Sequence, residues 1–224
     1  MKKYFFIYLL SVFLPVALSA QAGEWPIKEW NANAGNPFVL YISGDGGFNS
    51  FSIDLCVAFN KSGYQVTALN ARSYFWDKRT PEETASAILS YLIKIFKNRQ
   101  NQQLVLIGYS FGADVMPFIV NKLPDSIHKK LLSVLLMAPS TSTDFEVHWI
   151  DILGGHSKRS MDVVAEVNKM NVRKTLVLMG EDDKKYFPVG DVRLKNFTTE
   201  ILPGSHHFGG DTEQVANTLM KYFR

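Results

Sequence analysis

One stretch constrains this chain more than any other. Leu104-Val105-Leu106-Ile107 is a continuous apolar run that passes through Gly108-Tyr109-Ser110-Phe111-Gly112 directly into a helical pattern. A short run of this kind, with no polar alternation, suits a parallel strand buried on both faces. Where a strand turns straight into a helix, the crossing leaves room only for small residues, which Gly108 and Gly112 supply. Ser110 is then expected on a strained strand-to-helix turn with its hydroxyl lifted above the sheet, the G-x-S-x-G arrangement of a nucleophile elbow. The N–H of Phe111 and the helix N-terminus would face negative charge developing at that point. The chemistry this predicts is acyl transfer or ester hydrolysis. The pentapeptide is short, so its weight depends on the segments around it.

Those segments alternate. Residues 38–42, 64–69, 131–137, 175–179 and 198–202 read as strands, and residues 25–30 as an edge strand weakened by Pro26. Helices are expected over 50–60, ended by Gly63, over 161–170 and over 212–223. Another begins at Thr80 as N-cap, with Pro81 in the first helical position and Glu82 and Glu83 in the first turn, and runs to about Asn98. Pro117 predicts a bend, or a later start, in the helix after the elbow. Residues 145–150 read as extended and 154–160 as a loop. Strands alternating with helices predict an α/β fold: one doubly wound, mostly parallel sheet with helices on both faces, in a single domain over residues 23–224.

A serine hydroxyl is a poor nucleophile near neutral pH and needs a base, which in turn needs an orienting carboxylate. In this fold class they follow the serine in the order acid, then histidine, on loops after later strands. The order is present here: Gly180-Glu181-Asp182-Asp183 follows one expected strand and Pro203-Gly204-Ser205-His206-His207-Phe208 follows the last. His207 is the expected base because it stands directly before Phe208, as in the Gly-x-x-His-Phe arrangement of esterase-like enzymes, with His206 as the alternate. Asp183, three residues past Gly180, is the expected acid, with Asp182 as its alternate. Ser43-Gly44-Asp45-Gly46-Gly47-Phe48 follows an earlier strand, and Asp45 or Gly46 would give the second oxyanion N–H beside Phe111. His128, His148 and His156 have no partner at a telling position and read as solvated or core residues, and Asp114 as a helix-dipole partner. No spaced His/Cys/Glu set indicates a metal, and Gly44 to Gly47 lacks the Lys-Ser/Thr ending of a phosphate loop, so no cofactor is expected.

The N-terminus differs in character. Lys2 and Lys3 precede an apolar run over residues 4–18, and Ala20-Gln21-Ala22 places small residues where a signal peptidase reads them. Residues 1–22 are read as a signal peptide cut after Ala22; the run is short for a membrane anchor and contains Pro15. The chain carries 24 Lys and Arg against 21 Asp and Glu, two of those lysines lie in residues 1–22, and the mature net charge is about +1. That near neutrality gives no case for nucleic-acid binding. Cys56 is the only cysteine, so no internal disulfide can form, and its helical spacing among Ile53, Leu55 and Phe59 marks a buried structural thiol.

Taken together, several stretches resemble the VirJ family of bacterial virulence proteins and the similar C-terminal domain of AcvB. They are Ser43-Gly44-Asp45-Gly46-Gly47, Tyr74-Phe75-Trp76 with Arg79-Thr80-Pro81-Glu82, Gly108 through Pro117, Asp144-Phe145-Glu146-Val147-His148, Gly180-Glu181 and Pro203 through Phe208. The resemblance implies an α/β-hydrolase fold in the periplasm and, for AcvB-like members, hydrolysis of lysyl-phosphatidylglycerol. For VirJ it also implies an accessory role in type IV secretion, so the alternative to an esterase is a non-catalytic adaptor that binds secretion proteins. The final loop departs from the family pattern, reading Gly-Ser-His-His-Phe-Gly where Gly-Gly-His-His-Phe-Asp is expected. Asp45, Asp144, Glu146, Glu181 and Asp182 would share the sheet edge with Ser110, while Arg72, Lys78 and Arg79 lie on a neighbouring aromatic loop. Such an edge could hold an aminoacyl ammonium and a lipid phosphate together, at a membrane surface.

Overall fold

The structure is a computed structural model that describes residues 25–33, 35–148 and 158–224. The expected signal peptide, His156 and most of the loop expected over 154–160 lie outside the described residues, as do residues 149 and 150 of the expected extended segment.

In chain order the strands are β1 (Ile27–Trp30), β2 (Phe38–Ile42), β3 (Gln65–Leu69), β4 (Leu104–Tyr109), β5 (Leu131–Met137), β6 (Ser142–Thr143), β7 (Met161–Asp162), β8 (Thr175–Gly180) and β9 (Phe197–Leu202). The helices are α1 (Ser50–Lys61), α2 (Ala71–Tyr74), α3 (Pro81–Phe96), α4 (Phe111–Val120), α5 (Asp125–His128), α6 (Val163–Val167) and α7 (Thr212–Met220). Seven strands form one sheet in the order β1-β3-β2-β4-β5-β8-β9, and β6 pairs separately with β7. Only β1 runs antiparallel within the large sheet. Pro26 stands just outside β1 and its carbonyl accepts the Asn70 N–H, so it costs the edge no ladder bond.

Every residue of β2, β3, β4, β5 and β8 is buried, as a sheet covered on both faces requires. Alternate side chains divide between two cores. Val39, Tyr41, Val105, Ile107, Leu135, Leu176 and Leu178 pack with Leu55 and Phe59 of α1 and Val215 and Leu219 of α7. Phe38, Leu40, Leu104, Leu106, Val134, Leu136 and Val177 pack with Ile88 and Leu92 of α3 and the buried face of α4. Cys56 lies in the first of these layers with no exposed surface, and burial pushes its thiol pKa up, consistent with a packing role.

Local signals set most helix starts. Thr80 and Glu83 form a complete capping box at α3, and the Asn49, Asp162 and Asp211 side chains cap α1, α6 and α7. Pro117 neither delays nor divides α4. Every residue from Gly112 to Val120 is buried, and packing carries the helix past the hydrogen bond that proline removes. The expected helix over 161–170 is shorter, because Met161 and Asp162 pair with Thr143 and Ser142 before the helix begins at Val163.

The close approach at the elbow is enforced by backbone. A Cβ on Gly108 would lie 2.3 Å from the Gly112 carbonyl oxygen, and one on Gly112 would lie 2.2 Å from that of Ile42. The start of α4 therefore rests directly on the ends of β2 and β4. We expect Gly112→Ala to lose about 1–3 kcal/mol of unfolding free energy by forcing these elements apart. Gly190→Ala, where an added methyl meets nothing within 4 Å, should stay within about 0.5 kcal/mol of wild type. Chemical denaturation of the two variants measures the difference.

Candidate active site

Ser110 has φ 54° and ψ −122°, a conformation that ordinarily belongs to glycine and stores about 1–3 kcal/mol of strain. The surroundings hold it there. Its N–H donates to the Met137 carbonyl at 2.8 Å, and its own carbonyl accepts from Ala113 at 2.7 Å and Asp114 at 3.1 Å. Met137 ends β5, so the turn is tied at once to the neighbouring strand and to the first turn of α4. The hydroxyl is thereby presented at the C-terminal edge of the sheet, where open α/β folds place their sites.

The histidine that meets it is His206. Its Nε2 lies 2.8 Å from Ser110 Oγ, and its Nδ1 lies 3.7 Å from Oδ2 of Asp183. His207, the expected base, does not meet the serine: its ring stands edge-on to Phe51, with centroids 5.7 Å apart, and 6.1 Å from the Tyr109 ring. The cause is the seating of the last loop. Gly180 accepts its backbone so closely that an added Cβ would lie 2.2 Å from the Ser205 carbonyl oxygen. The Phe208 N–H donates to that same carbonyl at 2.9 Å, and the Phe208 side chain is buried in the core shared with α1 and α7. With Ser205 and Phe208 both fixed, the loop delivers His206 to the serine and leaves His207 exposed at the aromatic rim.

Of the two carboxylates, Asp183 is half-buried and faces His206. Asp182 is exposed, and its N–H donates to the Gly204 carbonyl at 3.2 Å. At 3.7 Å the Asp183–His206 contact is an ion-pair distance, longer than a hydrogen bond, and sites of this kind commonly tighten when substrate enters. Opposite them, Gly44 to Gly47 forms a tight turn in which the Gly47 N–H donates to the Gly44 carbonyl at 2.9 Å. Gly44 abuts the serine, since an added Cβ would lie 3.1 Å from the Ser110 Cβ. The turn thus brings Asp45, half-buried, and Gly46, exposed, to the serine's side of the sheet, while Phe111 opens α4.

The parts that Gly44, Gly180 and Tyr109 play are not evident from the sequence. The first two matter through close backbone approach, which no residue pattern records. Tyr109 closes β4, and its hydroxyl donates to the His206 carbonyl at 3.1 Å. Burial pushes the phenol pKa up, and the Asp45 and Asp183 carboxylates push it further, so both acids lie close enough to be felt there.

The rim is less acidic than the residue count suggests. Glu181 is paired with Lys184 at 2.5 Å. Asp144 accepts His148 Nε2 at 2.8 Å with Arg159 3.9 Å away, so His148 has the carboxylate partner that its position in sequence did not reveal. Asp114 is buried and takes the Ser140 N–H at 2.6 Å and the Ser140 hydroxyl at 2.8 Å, fixing the loop after β5 in addition to opening α4. Phe75 is fully buried against Phe111 and Phe145, whereas Trp76 on the same loop is 46% exposed. Arg79 lies over the Tyr74 ring and its N–H donates to the Phe145 carbonyl at 3.0 Å, tying this loop to the one after β6.

A serine on a strand-to-helix elbow, faced by a histidine and a carboxylate from later strand ends, places this chain in the α/β-hydrolase fold class. Its backbone is similar to the esterase EaEST from Exiguobacterium antarcticum (TM-score 0.63, 13% identity, 88% of this chain and 94% of that one). It is also similar to Est1E from Butyrivibrio proteoclasticus (0.62, 14%, 88% and 90%) and MenH from S. aureus (0.61, 12%, 88% and 97%). At such low identity these likenesses establish the fold alone. The chain belongs to the family described as bacterial virulence protein (VirJ), whose model matches residues 36–224. No curated protein matches it.

The two adjacent histidines give a clean test. On a chromogenic short-chain ester, His206→Ala should lower kcat at least about 100-fold, while His207→Ala should stay within about threefold of wild type. The opposite ranking would return the base to His207.

Proposed function

We propose that this protein is a periplasmic serine esterase in which Ser110, His206 and Asp183 act together. The observation that carries the reading is the 2.8 Å contact between Ser110 Oγ and His206 Nε2 on a strained elbow. In this reading His206 carries its proton on Nδ1, facing Asp183, and leaves Nε2 free to accept from the serine. As Oγ attacks the ester carbonyl, its proton passes to Nε2, and Asp183 stabilises the imidazolium that results. Negative charge on the carbonyl oxygen is met by the Phe111 N–H at the start of α4 and by the Asp45 or Gly46 N–H of the turn before α1. The imidazolium then protonates the departing alcohol. Water enters by the same route in reverse, releasing the acid and restoring the serine.

The substrate we favour is an aminoacyl ester of a phospholipid, with lysyl-phosphatidylglycerol as the specific candidate. What supports it is membership of the VirJ family together with the charge around the site. Asp45 and Asp183 set negative charge beside the serine, suited to an ammonium on the acyl group. Arg79 and the exposed Lys78 lie on the loop that packs through Phe75 against Phe111, on the side where a lipid phosphate would be held. Export by the signal peptide of residues 1–22 would place the enzyme where such lipids face the periplasm.

The test uses vesicles containing lysyl-phosphatidylglycerol and follows release of free lysine. Wild type should release it, and Ser110→Ala should be slower by at least about 1,000-fold. Lysine release by Ser110→Ala at the wild-type rate would overturn the esterase reading. Full restoration of type IV secretion by Ser110→Ala would favour the adaptor alternative.

A further inference from the structure

Tyr109, between Gly108 and Ser110, reaches the same distant residue as the serine does. Tyr109 is 2% exposed at the end of β4, and its hydroxyl donates to the backbone carbonyl of His206 at 3.1 Å. Ser110, the next residue, meets the His206 ring at 2.8 Å. Two consecutive residues of one strand end thus grip a single residue of the last loop at two points, one on its backbone and one on its imidazole.

We infer that Tyr109 is a positioning residue: its phenol fixes the backbone of His206 so that the imidazole is already aligned with Ser110 before substrate arrives. The inference rests on the reading of His206 as the base.

A buried tyrosine needs some acceptor for its hydroxyl, and a nearby carbonyl often serves. Three features make this contact more than that. First, the accepting carbonyl belongs to the base itself. Second, the anchors of the loop on either side hold Ser205 and Phe208, through Gly180 and the Ser205 carbonyl, and the Tyr109 hydroxyl adds a hold on the backbone of His206 itself. His206 stands between them, its side chain 43% exposed and so only partly confined by packing. Third, the Tyr109 ring lies 5.4 Å from the His206 ring and 5.0 Å from Phe51, so the phenol is itself held in a packed aromatic group.

The phenol is suited to a fixed donor. Burial raises its pKa, and the nearby carboxylates of Asp45 and Asp183 raise it further, so it keeps its proton across the range in which a histidine base works. It therefore donates without titrating. With the backbone carbonyl tied, the imidazole retains only its own side-chain torsions, and the distance from Nε2 to Oγ varies less. Misplacement of a reacting group by about 1 Å commonly costs about 100-fold in rate, so small gains in alignment have large effects.

Tyr109→Phe removes one hydroxyl and keeps the ring. We expect kcat on a short-chain ester to fall about 10- to 100-fold with KM within about twofold, because the groups that bind substrate are untouched. The pH–rate profile should keep its limbs and lose only its plateau height, since no titrating group has been removed. Phe51→Leu is the control for packing: it disturbs the same aromatic group with no bond to His206, and should change melting temperature more than kcat. Should Tyr109→Phe fold poorly, Tyr109→Met fills similar space without a hydroxyl and carries the same comparison. Wild-type kcat in a folded Tyr109→Phe would overturn the inference, as would a loss matched by Phe51→Leu or the disappearance of an alkaline limb. If His206→Ala leaves turnover intact, the esterase reading falls. If His206→Ala abolishes turnover and Tyr109→Phe does not slow it, only the positioning role falls.

Discussion

The contact on which this molecule depends is one of backbone on backbone. The first turn of α4 presses on the carbonyl ends of β2 and β4, at distances that Gly108 and Gly112 alone permit. That contact fixes where the helix begins, and the helix start fixes Ser110 in a conformation its side chain would not choose. The strain persists because the serine's own backbone is held several times over, its N–H donating to β5 on one side and its carbonyl accepting from α4 on the other. A parallel sheet then does the rest. Its strand ends share one edge, so loops far apart in sequence, after β2, β8 and β9, meet at the serine.

A second backbone contact completes the site. Gly180 at the end of β8 receives the Ser205 carbonyl as closely as Gly112 receives that of Ile42. The two contacts act alike: a glycine at a strand end lets the neighbouring segment seat at a fixed height. In the first case the seated segment carries Ser110, and in the second it carries His206. The site is held by the main chain of a stiff sheet, with side chains such as Phe208 and Asp114 locking each loop from behind.

This division explains what the sequence disclosed. Unbroken apolar runs such as Phe38–Ile42 and Leu131–Met137 announce strands buried on both faces, and with helical segments between them the doubly wound sheet follows. Ser110 and the late carboxylates and histidines are visible because their chain order is itself informative. Which of two adjacent histidines faces the serine is a different kind of question. His206 and His207 share composition and setting, and the choice is made by how Ser205 and Phe208 are anchored, through a contact to Gly180 lying a strand away. His148 shows the same limit: it pairs with Asp144 across a segment that takes a left-handed conformation at Phe145, which no periodicity marks. Pro117 does not delay the start of α4 for a physical reason as well, since burial of every residue from Gly112 to Val120 outweighs one missing hydrogen bond.

If this geometry makes the Ser110 hydroxyl a nucleophile, treating the folded protein with a fluorophosphonate should expel fluoride and form one new covalent bond, from phosphorus to Ser110 Oγ. The structure of that adduct should show a phosphonyl oxygen accepting from the Phe111 N–H and the His206 ring still beside Oγ. A folded protein left unmodified at Ser110, or modified at another residue instead, would show that the elbow does not activate its serine.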